Sequence, residues 1–248
     1  MAVARLPKKL KKDAILEALV EVRFESNEVE EIIIGRLSDT RKWKAFERKA
    51  TPVAELPQTV RIQNAAFKFS PLVEFWSPDK RAAVKIGGNV ASLHILSPYP
   101  GWAEFRKQIG TLLSAMKKAI PGCQVSRLGL RYINALNATD HHIEKMEDLN
   151  YRLEVAGKAP AGPVHFQIEK QLSDAMKSAL RVAGQEYVQG NIPDGTAAFV
   201  DVDVFTPVGY TLPLGPEVSA WFAEAHKREK GEFFALIPPH ILNELVEL

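Results

Sequence analysis

One stretch near the middle of the chain alternates between apolar and charged side chains: Gln124-Val-Ser-Arg-Leu-Gly-Leu-Arg-Tyr-Ile-Asn-Ala-Leu136. Successive side chains of a β-strand point to opposite faces, so Leu128 and Tyr132 share one face of this stretch. Arg127 and Arg131 share the other face. This pattern predicts a strand that buries its apolar face and leaves a charged face open. The fold therefore needs a sheet and a second layer that covers one side of it.

A second alternating stretch lies near the N-terminus, where Val20, Val22 and Phe24 share an apolar face. It predicts another strand with one buried face, within residues 14–24. Segments rich in Val, Ile, Phe and Trp between residues 59 and 96 are separated by turn signals, and they predict an antiparallel meander. More strands are predicted in the second half of the chain. These further predicted strands span residues 59–69, 72–77, 81–87, 90–96, 150–155, 164–172, 179–188 and 197–205, and residues 191–195 are predicted to join the last two.

Three segments carry apolar residues at helical spacing, and each is predicted to be a helix. The first follows Ser26 or Asn27 and continues to roughly residue 48, with acidic residues in its first turn, where the helix dipole favours them. The second spans about residues 101–119 and carries Trp102 and Phe105. The third begins at Pro216, a favoured first helical residue, and continues to about residue 228.

These elements predict an α+β fold in which helices pack on one face of a largely antiparallel sheet. The length fits a single domain spanning residues 1–248. Each half of the chain holds a group of strands followed by an aromatic-rich helix, which suggests two structurally related halves, 13–136 and 148–248. Ordinary alternation of helices and strands without duplication is the alternative interpretation.

Composition narrows the function classes. The 32 basic and 30 acidic side chains give a formal charge of +2, which argues against a protein built mainly to bind nucleic acid but leaves a local patch open. The single cysteine, Cys123, excludes a disulfide within the chain and favours a reducing cytoplasm. We find neither a secretory signal nor an apolar run long enough to span a bilayer, so we expect a cytoplasmic protein without a membrane partner.

Catalytic and metal-binding patterns are weak. His141 and His142 are neighbours, and neighbouring side chains of a regular element point differently, so the pair does not match a helical zinc site. The chain carries neither a phosphate-binding loop nor a nucleophile elbow. We therefore expect no catalytic residue, no metal and no cofactor, and the sequence favours a non-enzymatic protein while leaving an enzyme open.

Charged strand residues are the remaining site candidates. Asp201 and Asp203 leave one face of a predicted strand ~7 Å apart, which suits either a metal, an acid/base pair or a solvated strand face. Arg127 and Arg131 project together from their own strand. With Arg61, Lys68, Lys85 and Arg181, which also lie in predicted strands, they suggest a basic sheet face. Pairing of these cations with Glu21, Glu74 or Asp201 is the alternative.

The order of three segments resembles a sporadically distributed family of uncharacterised bacterial proteins of about this length. The segments are Leu10–Phe24, Tyr99-Pro-Gly-Trp-Ala-Glu-Phe105 and Arg127-Leu-Gly-Leu-Arg-Tyr-Ile-Asn134. The sporadic distribution implies a mobile-element or phage-defence setting, and the family supplies no catalytic residues to carry over. Within these segments, Arg131 and Asn134 are the polar residues that we expect to face a ligand or partner.

Two hypotheses of function follow. The first is a non-enzymatic interaction or regulatory protein that binds a protein partner or a second copy of itself, because exposed strand edges are natural docking sites. The second is a protein that binds nucleic acid or another anionic ligand through a basic strand face. In that case Arg127, Arg131 and Asn134 would bind the anionic group.

Overall fold

A computed structural model describes residues 6–160, 162–187 and 192–246 of the chain. Its helices and large antiparallel sheet of ten strands confirm the α+β class. The strands are β1 Ile15–Glu25, β2 Glu47–Ala50, β3 Val73–Trp76, β4 Ala82–Ile86, β5 Val90–Leu96, β6 Gln124–Asn137, β7 His165–Ser173, β8 Met176–Ala183, β9 Thr196–Phe205 and β10 Leu212–Pro213. The helices are α1 Glu30–Ser38, α2 Gln58–Gln63, α3 Ala65–Lys68, α4 Trp102–Ala119, α5 Ala138–His141, α6 Pro216–Ala235 and α7 Pro239–Leu245.

The strand order of the sheet is β2-β3-β4-β5-β1-β6-β9-β8-β7, and β10 pairs with β6. The strands β3, β4 and β5 follow one another as antiparallel neighbours, which confirms the predicted meander for residues 72–96. The strand β2, which was not predicted, pairs antiparallel with β3. The strands β7 and β8 form a hairpin in which Ile168 lies opposite Leu180. Among the described strands, β2 and β7 stand at the two ends of this order.

The chain divides into two compact units. The α4 unit comprises Glu17–Leu130 and Phe205–Ala223. The β7 unit comprises Arg131–Val204, the N-terminal segment up to Leu16 and the chain from Glu224 onwards. The division into these units does not test whether the halves 13–136 and 148–248 are structurally related. Their relationship therefore stays a prediction.

The core of the α4 unit forms where α4 packs against the sheet. Phe105 is completely buried, and the rings of Tyr99 and Trp102 meet its edge at centroid distances of 5.9 and 6.2 Å. Ile109 and Met116 continue the buried stripe of α4, because residues three or four apart share one face of a helix. The opposing apolar face of β1 is formed by Val20, Val22 and Phe24.

The core of the β7 unit forms around β6, β8 and β9. Tyr132 is 1% exposed, and Leu180 and Val200 are buried on the neighbouring strands. Phe233 and Phe234 of α6 are buried as well, and their rings meet edge to face. Burying an aromatic or aliphatic side chain of this size contributes about 1.5–3 kcal/mol, so this cluster supplies much of the stability of the unit.

Residues 59–69 were predicted to form a strand, and that prediction is wrong. The segment folds as α2 and α3, which follow Pro57. Val60 and Ile62 suggested a strand because β-branched residues favour extended backbone, yet both are exposed on α2. The inward position belongs to Arg61, which forms a buried ion pair with Glu30, and that tertiary contact overrides local propensity.

Several predicted boundaries also shift. The first helix ends at Ser38 rather than near residue 48, and Glu47–Ala50 forms the strand β2 instead. Residues 150–155 contribute an isolated bridge between Val155 and Lys158 rather than a strand. The last predicted helix continues to Ala235. Residues 188 and 191, at the predicted end of β8 and the start of the next loop, lie outside the described residues.

Phe105→Ala should destabilise the protein by about 3–5 kcal/mol, because it removes a completely buried ring and the contacts with Tyr99 and Trp102. Chemical denaturation followed by circular dichroism measures the free energy of unfolding. Val208→Ala, at a fully exposed position, is the control and should change that free energy by less than about 0.5 kcal/mol. Equal effects of the two substitutions would show that α4 is not anchored in this way.

Candidate functional site

A cluster of charged side chains lies on one face of the sheet in the β7 unit. Arg131 donates from Nε and Nη2 to the two carboxylate oxygens of Asp201, over 2.7 and 2.6 Å. Arg181 donates from Nη1 to the same carboxylate over 3.1 Å and from Nε to the Gln167 side-chain oxygen over 2.8 Å. The alternation of β6, β8 and β9 aims all these side chains at one face, so neighbouring strands bring them together.

This pairing changes what the cluster can bind. A two-pronged arginine–carboxylate contact is among the stronger charge-assisted interactions, and the Asp201 side chain is only 12% exposed. Asp203 leaves the same face of β9 and is half-buried. The charges of Arg131, Arg181, Asp201 and Asp203 cancel, so this part of the face attracts anions weakly.

Asn134 lies on the opposite face of β6 from Arg131, because the two residues are three positions apart. Its side chain is 2% exposed, and Nδ2 donates to the carbonyl oxygen of Val200 over 3.1 Å. The structure therefore does not bring Asn134 together with the predicted arginines. Its position is that of a buried amide that satisfies the backbone of the neighbouring strand.

Arg127 belongs to the α4 unit and is also engaged by an acid. Its Nη1 donates to Glu21 over 2.7 Å, and Arg23 donates to the same carboxylate oxygen over 2.7 Å. The Arg127 guanidinium also lies 5.2 Å from the ring centroid of Phe205. A Cβ atom on Gly129 would come within 2.8 Å of Arg127 Nη1, so glycine at this position allows the arginine to lie across the strand.

The remaining members of the predicted basic sheet face divide into two groups. Lys85 lies in β4 and pairs with Glu74 over 2.9 Å, which confirms the alternative that strand cations pair with acids. Arg61 and Lys68 lie in α2 and α3, so their placement in strands was wrong. Because Arg61 and Lys68 do not lie in strands, they do not add to a basic face of the sheet.

Among the described residues, the histidine pair and the single cysteine belong to no group of three or more metal-binding side chains. His141 is buried while His142 is exposed. Burial raises the pKa of the Cys123 thiol to about 11, which keeps it protonated at neutral pH. Within the described ranges, no helix is both long and apolar enough to cross a bilayer.

A pair of polar residues on α6, the half-buried His226 and the buried Glu229, was missed by sequence reasoning. His226 Nδ1 lies 3.3 Å from the Tyr132 hydroxyl, and Glu229 follows one helical turn later with 4% exposure. Burial, assisted by Lys230, lowers the pKa of His226 to about 4. Burial raises the pKa of Glu229 to about 8, against the opposing charge of Lys230. The sequence feature that could have predicted this pair is the three-residue spacing of His226 and Glu229, which places both on one face of a helix.

The edge strand β7 is the other feature that residue-type reasoning missed. It ends the strand order, so among the described strands it pairs with β8 alone. It is exposed along most of its length, and Ile168 is 45% exposed. The opposite edge strand, β2, is short and carries Glu47, Arg48 and Lys49, which protects an edge from pairing. The nine residues of β7 form the longer open edge.

Asp201→Asn should destabilise the protein by about 1–2 kcal/mol, because two arginines lose their shared counter-charge at a nearly buried position. Asp39→Asn, which breaks an exposed ion pair with Lys44, is the matched control and should cost less than about 0.5 kcal/mol. The comparison uses denaturant unfolding at low and moderate salt. Indistinguishable losses would mean that the Asp201 cluster contributes no more than a surface pair.

The stability of the protein should fall by about 1 kcal/mol between pH 7 and pH 8 through Glu229. The carboxyl stays protonated in the folded state up to about pH 8 but ionises near pH 4.5 when unfolded, so a rise in pH favours unfolding. Glu229→Gln should remove this part of the pH dependence in denaturant titrations. His226 titrates below this window in the folded state. An unchanged slope in the variant would contradict the assignment.

Comparison of the sequence with models of known protein families gave no match. Comparison with curated proteins gave no match either. The resemblance carried by Leu10–Phe24, Tyr99–Phe105 and Arg127–Asn134 therefore stays a prediction. Two features of the structure bear on function. The strand β7 is an exposed edge among the described strands, and Arg127 and Arg131 are engaged by Glu21 and Asp201.

Proposed function

We propose that this chain is a non-enzymatic interaction protein that associates through its edge strand β7, and that the segment bound there is β7 of a second copy. The observation that carries the proposal is the exposed Ile168 in the middle of a long strand with one open edge. An open edge offers backbone N–H and C=O groups to another strand, which can extend the sheet.

The register of the hairpin supports self-pairing about Ile168. The regular part of β7 runs from His165 to Gln171, since the pairing with β8 shifts between Gln171 and Ser173. Ile168 is the midpoint of that regular part. A two-fold axis through this point would pair the whole regular stretch of both copies and bury Ile168 against its counterpart.

Side-chain complementarity favours the same register. With Ile168 at the centre, Phe166 lies opposite Lys170 of the second copy, and Gln167 lies opposite Glu169. The second pair allows a hydrogen bond. In the first pair the Lys170 ammonium is held by Glu232 of its own copy over 2.7 Å, so its alkyl stem is what Phe166 would contact. A centre at Glu169 or at Lys170 would place like charges directly opposite each other, which destabilises a strand pair.

The alternative of a nucleic-acid or anionic ligand on a basic strand face has less support. Arg127 pairs with Glu21, and Arg131 pairs with Asp201. An anion at either arginine would have to compete with a carboxylate that is already in place, and its own charge would be repelled by that carboxylate. The mobile-element or phage-defence setting that the resemblance implies stays a prediction alongside this proposal.

Ile168→Glu should convert the dimer into a monomer, because it places two carboxylates at the centre of the paired edge. Sedimentation equilibrium from low micromolar to submillimolar concentration measures the association. Ile62→Glu introduces the same charge at a comparably exposed position on α2 and should associate like the unmodified protein. A monomer throughout that range for the unmodified protein, or equal association of both variants, would overturn the proposal.

Cysteine trapping tests the register itself. Ile168→Cys should form a disulfide-linked dimer under mild oxidation, because the two central side chains lie opposite each other. Cys123 is buried and protonated, so it adds little background. Glu169→Cys is the control. In this register Glu169 lies opposite Gln167 of the second copy, so the two introduced cysteines would be offset along the strands. Faster cross-linking through Glu169→Cys would show a different register.

A further inference from the structure

A basic groove in the α4 unit lies between the α1 region and one side of α4. Its volume is about 880 Å³. One wall comes from the end of α1 and the turn that follows it, with Arg36, Arg41 and Lys42. The other side comes from α4, with Lys107 near its start and Lys118 in its last turn. Sequence reasoning had assigned the basic residues of interest to strands and had not identified this surface.

The groove is strongly positive. Five basic side chains line it, against the single carboxylate of Asp39. That balance contrasts with the +2 charge of the whole chain, so the cations are concentrated here rather than spread evenly. A concave surface lined by one sign of charge raises the local concentration of oppositely charged ligands.

Existing contacts engage part of this charge, since Arg36 pairs with Glu28 over 3.2 Å and donates to the carbonyl oxygen of Ala119 over 3.0 Å. Lys42 Nζ donates to the neutral Thr111 hydroxyl over 3.1 Å, and Lys107 pairs with Glu104 at the exposed end of α4. Asp39 is engaged by Lys44 over 3.2 Å. Within the described part of the chain, Arg41 and Lys118 form no ion pair. The groove therefore keeps two described cations, Arg41 and Lys118, without an acidic partner, whereas Arg127 and Arg131 on the sheet faces are each held by a carboxylate.

The shape of the groove is set by small side chains and a buried anchor. Gly110 and Ser114 belong to its α4 side, and a Cβ atom on Gly110 would meet nothing within 4 Å. A ligand can therefore come close to the helix backbone. On the other wall, Trp43 is 5% exposed and packs against Phe75, which holds the adjoining Arg41 and Lys42 in place.

We infer that this groove binds the phosphodiester backbone of single-stranded nucleic acid without reading its sequence. Phosphate oxygens are the ligands that match a row of lysine and arginine side chains. A positively charged groove that follows the backbone is how proteins bind single strands of any sequence. Apart from Asp39, the lining residues are basic or small, and none is aromatic, so the contacts they offer are to phosphates rather than to bases.

The length of the groove fits a short oligonucleotide. Lys107 and Lys118 are separated by a helical rise of about 16 Å, at 1.5 Å for each residue. One strand of a duplex carries a phosphate every 3.4 Å, so roughly five phosphates would cover that distance in a stacked strand. The spacing allows both lysines to contact the same bound strand.

The test measures binding of a fluorescein-labelled oligothymidylate by fluorescence anisotropy. Lys107→Glu with Lys118→Glu should raise Kd by at least about tenfold and reduce the slope of log K against log salt by roughly 1.4, at 0.7 for each lost phosphate contact. Arg106→Glu with Lys117→Glu is the matched control. Both of those residues are exposed on α4 outside the groove, and the change in net charge is the same. The control pair should raise Kd by less than about threefold.

A second variant separates the groove from general charge. Ser114→Leu fills the α4 side of the groove at constant charge and should weaken binding to the oligonucleotide. Circular dichroism and the melting temperature verify that each variant is folded. Equal weakening by the two double variants, or no measurable binding by the unmodified protein at low salt, would overturn the inference. Tighter binding to phosphatidylserine vesicles than to the oligonucleotide, lost in the same groove variants, would assign the surface to a membrane instead.

Discussion

Leu128 and Tyr132 occupy one face of β6, and Arg127 and Arg131 occupy the other, so the two sides of this strand cannot share an environment. The apolar side must be covered, because each large side chain removed from water contributes about 1.5–3 kcal/mol. Within the α4 unit, Leu128 is completely buried, and α4 packs its own buried stripe against the sheet. Within the β7 unit, α6 contributes buried residues of its own. The charged side of each strand is then left half-exposed.

The charged side carries its own constraint, since half-buried cations need partners. In the α4 unit, Glu21 accepts from both Arg127 and Arg23. In the β7 unit, Asp201 accepts from both Arg131 and Arg181. The arginines that suggested an anion-binding site are therefore already paired with carboxylates of the same chain. Among the described residues, the structure leaves two other kinds of surface: an exposed edge at β7, and a groove beside α4 in which basic side chains outnumber acidic ones.

These two surfaces use different physics. A strand edge offers backbone hydrogen-bonding groups, and its specificity comes from which side chains lie opposite one another. The basic groove attracts a polyanion through long-range electrostatic interactions. We therefore expect its affinity for nucleic acid to depend strongly on salt concentration and little on nucleotide sequence. A protein with both could assemble through one surface while it holds a polyanion through the other, and the two sets of substitutions separate these activities.

Much of the sheet was predictable from the sequence. The alternation in β1, β6 and β9 follows directly from the two-residue period of a strand, and the helix of Trp102–Ala119 follows from its three-to-four-residue period. The pairing of strand cations with Glu21, Glu74 and Asp201 was predicted as an alternative and is present. The segment of α2 and α3 was not predictable, because Val60 and Ile62 favour a strand and only the buried contact between Arg61 and Glu30 decides for a helix.

The sequence by itself determined the α+β class, the buried and open faces of the principal strands, and the near-neutral charge of the chain. The odd separation of Arg131 and Asn134 places them on opposite faces of one strand, and the predicted site that combined them overlooked this signal. Only the tertiary structure decided the order of the strands, and therefore which strand became an edge. Strand order and helix packing join residues far apart in the chain, so they alone brought Arg41 and Lys118 to one groove and left Ile168 exposed. Local periodicity carries no information about such neighbours, and for that reason the proposed sites became visible only in the fold.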